Sequence, residues 1–233
     1  MKAFVAGATG FTGREVVRLW AEEGGEALAH VRPDSSRLEE WTTTFSAMGA
    51  AVDTTAWEPQ ALAKSFERLK PDVIFCLIGT TKKRMKEFDK DQASYEAVDY
   101  GLTAMLLEAA CLAELKARFV YLSSSGVGPN SALGYFQARW KAEQAVVASG
   151  LEYVIARPGI ITGERDESRP MERIAGEVGD KLLGMAAMLG AKGLEERYRS
   201  TSSVELAGRL VALSRDASAA GRVFESQELN RMG

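Results

Sequence analysis

Residues Val5–Glu15 read VAGATGFTGRE and carry three glycines, Gly7, Gly10 and Gly13, spaced three residues apart. The stretch follows a short apolar run and leads into Phe11–Glu23, where apolar residues recur at helical spacing. Glycines between a strand and a helix are typical of a phosphate-binding turn, because they permit a tight turn, a close backbone approach and close helix packing. The helix start adds N–H groups and a partial positive charge. We predict a dinucleotide-binding loop here; the alternative is an ordinary strand–helix turn.

Short apolar runs alternate with helical patterns along most of the chain. The run DVIFCLI at Asp72–Ile78 is apolar on both faces, which is typical of a parallel strand covered by helices. Further strands are predicted at Glu26–Arg32, Ala50–Asp53, Phe119–Ser123, Tyr153–Arg157 and Arg222–Glu225. Helices are predicted at Pro59–Leu69, Gln92–Leu115, Leu133–Ala148, Met171–Leu189 and Ser203–Leu213.

This alternation predicts an α/β protein with a doubly wound parallel Rossmann sheet and a small C-terminal lobe. We expect residues 1–233 to form a single NAD(P)-binding Rossmann domain, with 162–200 as the lobe on the substrate side.

The composition of the 233-residue chain argues against several classes of protein. The net charge of −3 offers no broad basic surface for nucleic acid or anionic lipid, and no apolar run reaches the ~18 residues of a membrane span. Two cysteines, Cys76 and Cys111, and one histidine, His30, have no metal-ligand spacing. The N-terminus shows no signal-peptide pattern. We predict a cytoplasmic protein with a small-molecule substrate and no nucleic-acid, membrane or metal partner; a homodimer stays open.

The end of the second predicted strand indicates which dinucleotide is bound. Many NAD-binding sheets have an acidic residue here to hold the ribose 2′-hydroxyl, but this chain has Arg32, 19 residues past Gly13. A guanidinium pairs with a 2′-phosphate, so Arg32 favours NADP(H) over NAD(H). Arg37 is a second candidate for the same phosphate, and the alternative for Arg32 is a solvated arginine.

Two other strand ends lie on the expected path of the cofactor. Asp53 ends the third strand, where it could meet the adenine or cap the following turn. Gly79 and Thr80 end the fourth strand, where small residues would let the backbone pass the nicotinamide ribose. Ligands of open parallel sheets bind beyond the carboxyl ends of the strands, so these residues are predicted to line the cofactor site.

A serine, a tyrosine and a cation follow the fifth predicted strand. The strand runs into Ser123–Ser125, and Tyr135 and Arg139 then share one helix face at i and i+4. A tyrosine hydroxyl can exchange a proton with a carbonyl, and a fixed positive charge lowers the pKa of such a tyrosine. A serine hydroxyl can hold the substrate oxygen. The alternative is a packed tyrosine beside a surface ion pair of Arg139 and Glu143.

The chain resembles the short-chain dehydrogenase/reductase superfamily, in its atypical branch, near the Tat-interacting-protein-like oxidoreductases. The resemblance covers nearly the whole chain. It rests on GATGFTG, CLIGTTKKRM (76–85), YEAVDYG (95–101), YFQARWKAE (135–143), ASGLEYVIARPGIITG, RPGIITGERDESRP (157–170) and SVELAGRLVAL. The family implies a Rossmann fold, NADP(H) binding and carbonyl reduction.

The resemblance also assigns roles to individual residues. It implies a phosphate loop formed by Gly7, Thr9, Gly10, Phe11, Thr12 and Gly13. Arg32 matches the 2′-phosphate reader, Tyr135 the catalytic tyrosine and Ser124 the catalytic serine, with Ser125 as a substitute. The segment Pro158 to Ile161, which includes Ile160, matches the loop beside the nicotinamide carboxamide.

One departure from the family separates cofactor binding from catalysis. The family has lysine four residues after the tyrosine, whereas this chain has Arg139, which keeps the charge but cannot relay protons as an ammonium can. We therefore predict an NADP(H)-dependent oxidoreductase that acts on a small carbonyl or alcohol through Ser124, Tyr135 and Arg139. The first alternative is an NADPH-binding regulatory or interaction protein with little turnover. A sugar-nucleotide epimerase is disfavoured by the small C-terminal lobe.

Overall fold

The computed structural model describes residues 1–79, 94–131, 133–162 and 200–232. Its strands are β1 (Lys2–Ala6), β2 (Glu26–His30), β3 (Ala51–Asp53), β4 (Val73–Cys76), β5 (Arg118–Leu122), β6 (Tyr153–Arg157), β7 (Ile161–Thr162), β8 (Thr201–Ser202) and β9 (Arg222–Glu225). Within these ranges, seven strands form one parallel sheet in the order β3-β2-β1-β4-β5-β6-β9, and β7 pairs with β8.

Helices cover both faces of this sheet. They are α1 (Phe11–Glu22), α2 (Leu38–Ala47), α3 (Pro59–Leu69), α4 (Leu102–Leu112), α5 (Gly134–Ala148), α6 (Ser203–Arg215) and α7 (Ser226–Asn230). A π-helical turn at Glu96–Gly101 leads into α4, and a 3-10 turn at Ala217–Ala219 follows α6. None of the helices in the described ranges combines the length and apolarity needed to cross a bilayer.

Successive residues of the central strands face opposite layers of helices, as the pleat requires. Val5 and Phe75 pack in the core formed with α1, α2 and α6, whereas Phe4 and Ile74 pack in the core formed with α3, α4 and α5. Because both faces of β4 are buried, its sequence is a continuous apolar run rather than an alternating one.

The chain reverses its direction of travel across the sheet after β3. It runs outward from β1 to β2 and β3, then returns to the other side of β1 to form β4. The carboxyl ends of β1 and β4 therefore flank the topological switch point, which is where open α/β sheets bind ligands. Gly7 follows β1 at this crevice and Leu77 follows β4.

The predicted doubly wound parallel Rossmann sheet is confirmed, including its last strand at Arg222–Glu225. The helices differ from the prediction at two places. No helix was predicted at Leu38–Ala47, and the described part of the long helix predicted at Gln92–Leu115, which begins at residue 94, contains a π-helical turn followed by a shorter α-helix. The helix at Met171–Leu189, and all of the C-terminal lobe except its end residues, lie outside the described residues, so the division into domain and lobe stays a prediction.

Candidate dinucleotide-binding and catalytic site

Two of the three glycines are required by the fold of the turn itself. Gly7 has a φ of +85°, and a Cβ atom there would lie 2.6 Å from the carbonyl oxygen of Leu77. A Cβ atom on Gly13 would lie 2.8 Å from the Cα of Ala8 and would also collide with the Gly7 carbonyl oxygen. Gly7 thus lets β1 approach the end of β4, and Gly13 lets α1 pack against the turn.

Gly10 is less tightly enclosed than Gly7 and Gly13, and it faces solvent. It is exposed, it forms the N-cap of α1 with extended backbone, and its N–H donates to the Gly7 carbonyl at 3.0 Å. A Cβ atom there would come no closer than 3.2 Å to a described atom, the Gly7 carbonyl oxygen. The open side of the turn thus lies at the start of α1, where helical N–H groups are available to an anion. This cradle fits the pyrophosphate of a dinucleotide.

The remaining residues of the predicted phosphate loop surround this cradle. Thr9 and Phe11 are partly exposed beside Gly10, and Thr12 is buried in the first turn of α1. We expect the backbone of these residues, rather than their side chains, to face the phosphates.

Two predicted readers of the 2′-phosphate lie after β2, and the structure adds a third arginine. Arg32 Nη1 lies 3.4 Å from the Asp34 carboxylate. Arg37 pairs with Glu40, and its guanidinium carbon lies 4.7 Å from the centroid of the Trp41 ring. These are exposed side chains that a bound anion could draw away from their carboxylates.

Sequence reasoning missed Arg14. Its guanidinium carbon lies 5.8 Å from the centroid of the same Trp41 ring that Arg37 contacts. Arg14 immediately follows Gly13 in α1, so a signal for its proximity to the phosphate loop was present in the sequence. Trp41 thus brings a cation from α1 and a cation from the start of α2 to one place.

Asp53 caps a turn in the structure. Its carboxylate accepts hydrogen bonds from the Thr55 N–H at 3.1 Å, the Thr55 hydroxyl at 3.0 Å and the Ser65 hydroxyl at 2.9 Å. This geometry favours the capping alternative, while a contact with adenine stays a prediction. His30 Nε2 lies 2.8 Å from the Thr55 carbonyl oxygen, and burial holds the pKa of this imidazole below its usual value. A neutral His30 donates to that carbonyl and packs in the same turn.

Arg139 joins the end of β5 to the segment that follows β4, at the carboxyl edge of the sheet. Nη2 donates to the Ile78 carbonyl, just after β4, at 3.2 Å, and Nη1 donates to the Leu122 carbonyl at the end of β5. Nη2 also donates to the Asp99 carboxylate at 2.9 Å. A Cβ atom on Gly79 would lie 2.8 Å from Nη2, so a larger residue here would displace the end of the arginine side chain. Thr80 lies outside the described residues.

The surface pair of Arg139 with Glu143, which was the alternative to a catalytic role, does not form. Arg139 is 5% exposed and pairs with Asp99, while Glu143 is 1% exposed and pairs with Arg157. Burial lowers the pKa of Arg139, but the neighbouring Tyr135, Tyr121 and Asp99 outweigh it and raise the pKa above its usual value. The guanidinium is therefore a permanent buried cation.

Tyr135 lies in the first turn of α5, over this cation. The centroid of its ring is 5.1 Å from the guanidinium carbon of Arg139, and the Tyr95 ring meets it edge-on at 5.3 Å. Lys141 is exposed and pairs with Glu96 at 2.6 Å. Arg139 is thus the cation that the structure places beside Tyr135.

The three serines after β5 are not equivalent. The Ser123 hydroxyl is buried and donates to the Glu143 carboxylate at 2.5 Å. Ser125 is also buried, and its hydroxyl lies 3.5 Å from the Arg157 carbonyl oxygen. Ser124 is partly exposed, and its hydroxyl makes a 3.4 Å contact with the Ser125 carbonyl oxygen. The geometry therefore favours Ser124 over Ser125 as the serine that a substrate can reach.

The loop after β6 is held against the serine turn. The Ser125 N–H donates to the Pro158 carbonyl at 2.8 Å, and the Thr201 N–H donates to the Ile160 carbonyl at 2.9 Å. Ile160 is 47% exposed, so it presents an apolar side chain at this edge of the sheet. In the described part of the chain, no cluster of His, Cys, Asp or Glu could hold a metal ion.

Comparison with known proteins assigns this arrangement to a family. Residues 7–185 match the family described as NAD(P)H-binding. "Protein fmp52, mitochondrial" of Aspergillus niger is 29% identical over 176 residues, which cover 74% of this chain and 67% of that protein. The protein of the same name from Aspergillus clavatus is 32% identical over 190 residues, which cover 77% of this chain and 76% of that protein.

Solved structures show the same fold at low sequence identity. The oxidoreductase ylbE from Lactococcus lactis has a TM-score of 0.64 at 18% identity, covering 100% of this chain and 96% of that one. UDP-glucose 4-epimerase from Thermotoga maritima has a TM-score of 0.66 at 18% identity, covering 96% of this chain and 76% of that one.

The match of residues 7–185 to the NAD(P)H-binding family supports the prediction of a nicotinamide cofactor. It does not choose between NADP and NAD.

The prediction of a cytoplasmic protein is wrong. The relatives from Aspergillus niger, Candida albicans and Debaryomyces hansenii are all named mitochondrial. That prediction was based on the composition and on the first residues of the sequence. Neither of these features distinguishes the cytoplasm from another reducing compartment.

Proposed function

Because the chain belongs to the NAD(P)H-binding family, among the atypical short-chain dehydrogenase/reductases, we propose that it is an NADP(H)-dependent oxidoreductase acting on a small carbonyl or alcohol. The observation that carries the proposal is Tyr135, whose ring lies 5.1 Å from the buried cation of Arg139 at the carboxyl edge of the sheet. A phenol and a fixed cation at the ligand-binding crevice are the parts that proton transfer to a carbonyl needs.

The glycine turn and the arginines near Trp41 would hold the cofactor. The backbone around Gly10 would bind the pyrophosphate at the start of α1. Arg32, Arg37 and Arg14 would bind the 2′-phosphate, for which a guanidinium supplies paired hydrogen bonds. A bound nicotinamide supplies or accepts the hydride.

The residues after β5 would transfer the proton and bind the substrate oxygen. Ser124 would donate a hydrogen bond to the carbonyl oxygen, and Tyr135 would donate a proton to it during reduction or remove one during oxidation. The cation of Arg139 favours the phenolate that remains after the donation.

Calorimetric titration with NADPH and NADH tests the cofactor part of the proposal. We expect NADPH to bind at least about 10-fold more tightly, which corresponds to ~1.4 kcal/mol. Arg32→Ala is expected to remove most of that preference by weakening NADPH binding and leaving NADH binding unchanged, because only NADPH carries the 2′-phosphate. Equal affinities in the unmodified protein would contradict the NADP assignment, and no binding of either would contradict the whole proposal.

A panel of small carbonyl compounds with NADPH tests the catalytic part. Tyr135→Phe is expected to lower kcat at least about 100-fold while leaving the NADPH dissociation constant unchanged, since proton transfer by a positioned side chain contributes at least this much. Tyr153→Phe, which removes a hydroxyl from β6, is the matched control and should keep full activity. Equal turnover by the two variants would remove Tyr135 from the mechanism.

One observation favours a second function, an NADPH-binding regulatory protein with little turnover. Both Nη groups of Arg139 donate to acceptors within the protein, so Arg139 cannot relay protons as the family's lysine does. This candidate gains support if NADPH binds tightly, no carbonyl is reduced and NADPH changes the binding of a partner protein.

A further inference from the structure

Two buried charges of opposite sign, Asp99 and Arg139, lie where β4 and β5 end. Asp99 is 1% exposed and Arg139 is 5% exposed, with Nη2 and Oδ1 2.9 Å apart. A buried ion pair is costly to desolvate and persists where further hydrogen bonds satisfy it. Here two strand-end carbonyls supply those bonds to the arginine.

An unusual helix turn carries Asp99 into this position. Residues Glu96–Gly101 form a π-helical turn, and Asp99 is its only buried residue. The backbone carbonyl of Asp99 accepts a hydrogen bond from the Thr103 hydroxyl at 2.8 Å, which ties the turn to α4. π-Helical turns inside helices are frequent at functional sites, because the extra residue moves side chains out of the regular register.

The contacts of Arg139 fix where its charge lies. Nη1 and Nη2 both have acceptors, and Nε is buried without an acceptor among the described residues. Asp99 supplies the one ionised acceptor among these contacts, and charge-assisted hydrogen bonds are the stronger kind. The guanidinium is thus held beside Tyr135 and has little freedom to approach the cofactor.

We propose that Asp99 is a positioning residue that fixes Arg139 beside Tyr135 and offsets its charge, so that the tyrosine faces an ion pair and not an isolated cation. The inference rests on the proposed function, in which Tyr135 exchanges the proton. It makes the chain different from a tyrosine–lysine site: the cation is permanent, immobile and largely neutralised. The net charge that Tyr135 meets then depends on a residue 36 positions away in the sequence.

The groups that face Tyr135 define what a pH experiment would report. Among the described residues, Arg139 and Tyr95 are the charged or titratable groups that contact its ring. Asp99 and Tyr121 lie next to the guanidinium, with the Tyr121 ring centroid 5.9 Å from the guanidinium carbon. Of these four, only Arg139 and Asp99 are charged near neutral pH, so changing either one alters the net charge that Tyr135 meets.

The test follows the phenolate of Tyr135 by absorbance during alkaline titration of the cofactor-free protein, with Tyr135→Phe identifying its contribution. Asp99→Asn is expected to lower the midpoint by about one pH unit, because the cation is no longer offset. The pH at which alcohol oxidation is half-maximal should move in the same direction. A folded Asp99→Asn protein with an unchanged midpoint would limit Asp99 to a structural role.

A double variant keeps the proposal open to refutation if Asp99→Asn does not fold. Asp99→Asn with Arg139→Gln replaces this ion pair by a neutral pair, so neither side chain is left charged without the other. We expect its midpoint to stay within about half a pH unit of the unmodified protein, whereas Arg139→Gln alone should raise the midpoint. A double variant as high as Arg139→Gln alone would show that Asp99 offsets nothing. NADPH calorimetry on the same proteins distinguishes this failure from a failure of cofactor binding.

Discussion

Gly13→Ala is expected to destabilise the folded protein by about 4 kcal/mol or more. The added methyl would lie 2.8 Å from the Cα of Ala8 and would also collide with the Gly7 carbonyl, so backbone atoms and not flexible side chains would have to move. Either α1 must separate from β1 or the turn must change shape. The free energy of unfolding, measured by urea denaturation and followed by circular dichroism, checks the prediction.

Gly208→Ala is the matched control for this loss. Gly208 lies inside α6, and no described atom would come within 4 Å of a Cβ atom placed there. Alanine is the better helix former, so this variant should be more stable than the unmodified protein by up to about 1 kcal/mol. If the two variants unfold at the same urea concentration, close packing is not the reason for glycine at position 13.

The glycine turn and the apolar strands could be predicted because each depends on residues adjacent in sequence. The helix at Leu38–Ala47 could not, because its local signals are weak. Its N-cap, Arg37, makes no capping hydrogen bond, and Thr42–Thr44 are β-branched. The three threonine hydroxyls bond back to carbonyls four residues earlier, and Trp41 and Phe45 are buried in the core. Tertiary packing thus overrides a low intrinsic propensity.

In the candidate site too, contacts between residues close in sequence were predictable and contacts between distant residues were not. The spacing of Tyr135 and Arg139 predicted that they share a face, and the ring does lie over the guanidinium. The partner of Arg139 was not predictable, because Asp99 is 40 residues away and reaches it only through a π-helical turn. The i,i+4 rule suggested Glu143 instead, but that rule describes exposed helix faces, and both side chains here turn inward to different strand ends.

Glu143→Met is expected to cost about 1–3 kcal/mol of folding stability, because it leaves the buried Ser123 hydroxyl without its acceptor and Arg157 with Glu225 as its remaining ionised partner among the described residues. The Glu143 carboxylate accepts hydrogen bonds from Arg157 Nε at 2.9 Å, Arg157 Nη2 at 2.5 Å and the Ser123 hydroxyl at 2.5 Å. The hydrogen bonds that Arg157 donates to Glu143, and then to Glu225, raise the pKa of Arg157 above its usual value, so the arginine stays charged when Glu143 is removed. The loss is read from urea denaturation.

Two further variants distinguish the cost of leaving Arg157 without Glu143 from the loss of the attraction between these two side chains. Lys141 lies two positions before Glu143 on the same helix and forms an exposed pair with Glu96. Lys141→Met breaks that pair and should cost less than about 1 kcal/mol. Glu143→Met combined with Arg157→Met removes both members of the pair and should recover part of the stability lost by Glu143→Met alone. A double variant as unstable as the single one would mean that the pair itself, and not the partner left behind, stabilises the carboxyl edge of β6. Since Arg157 precedes Pro158, whose carbonyl accepts the Ser125 N–H at 2.8 Å, that outcome would make the network a support for the loop proposed to contact the cofactor.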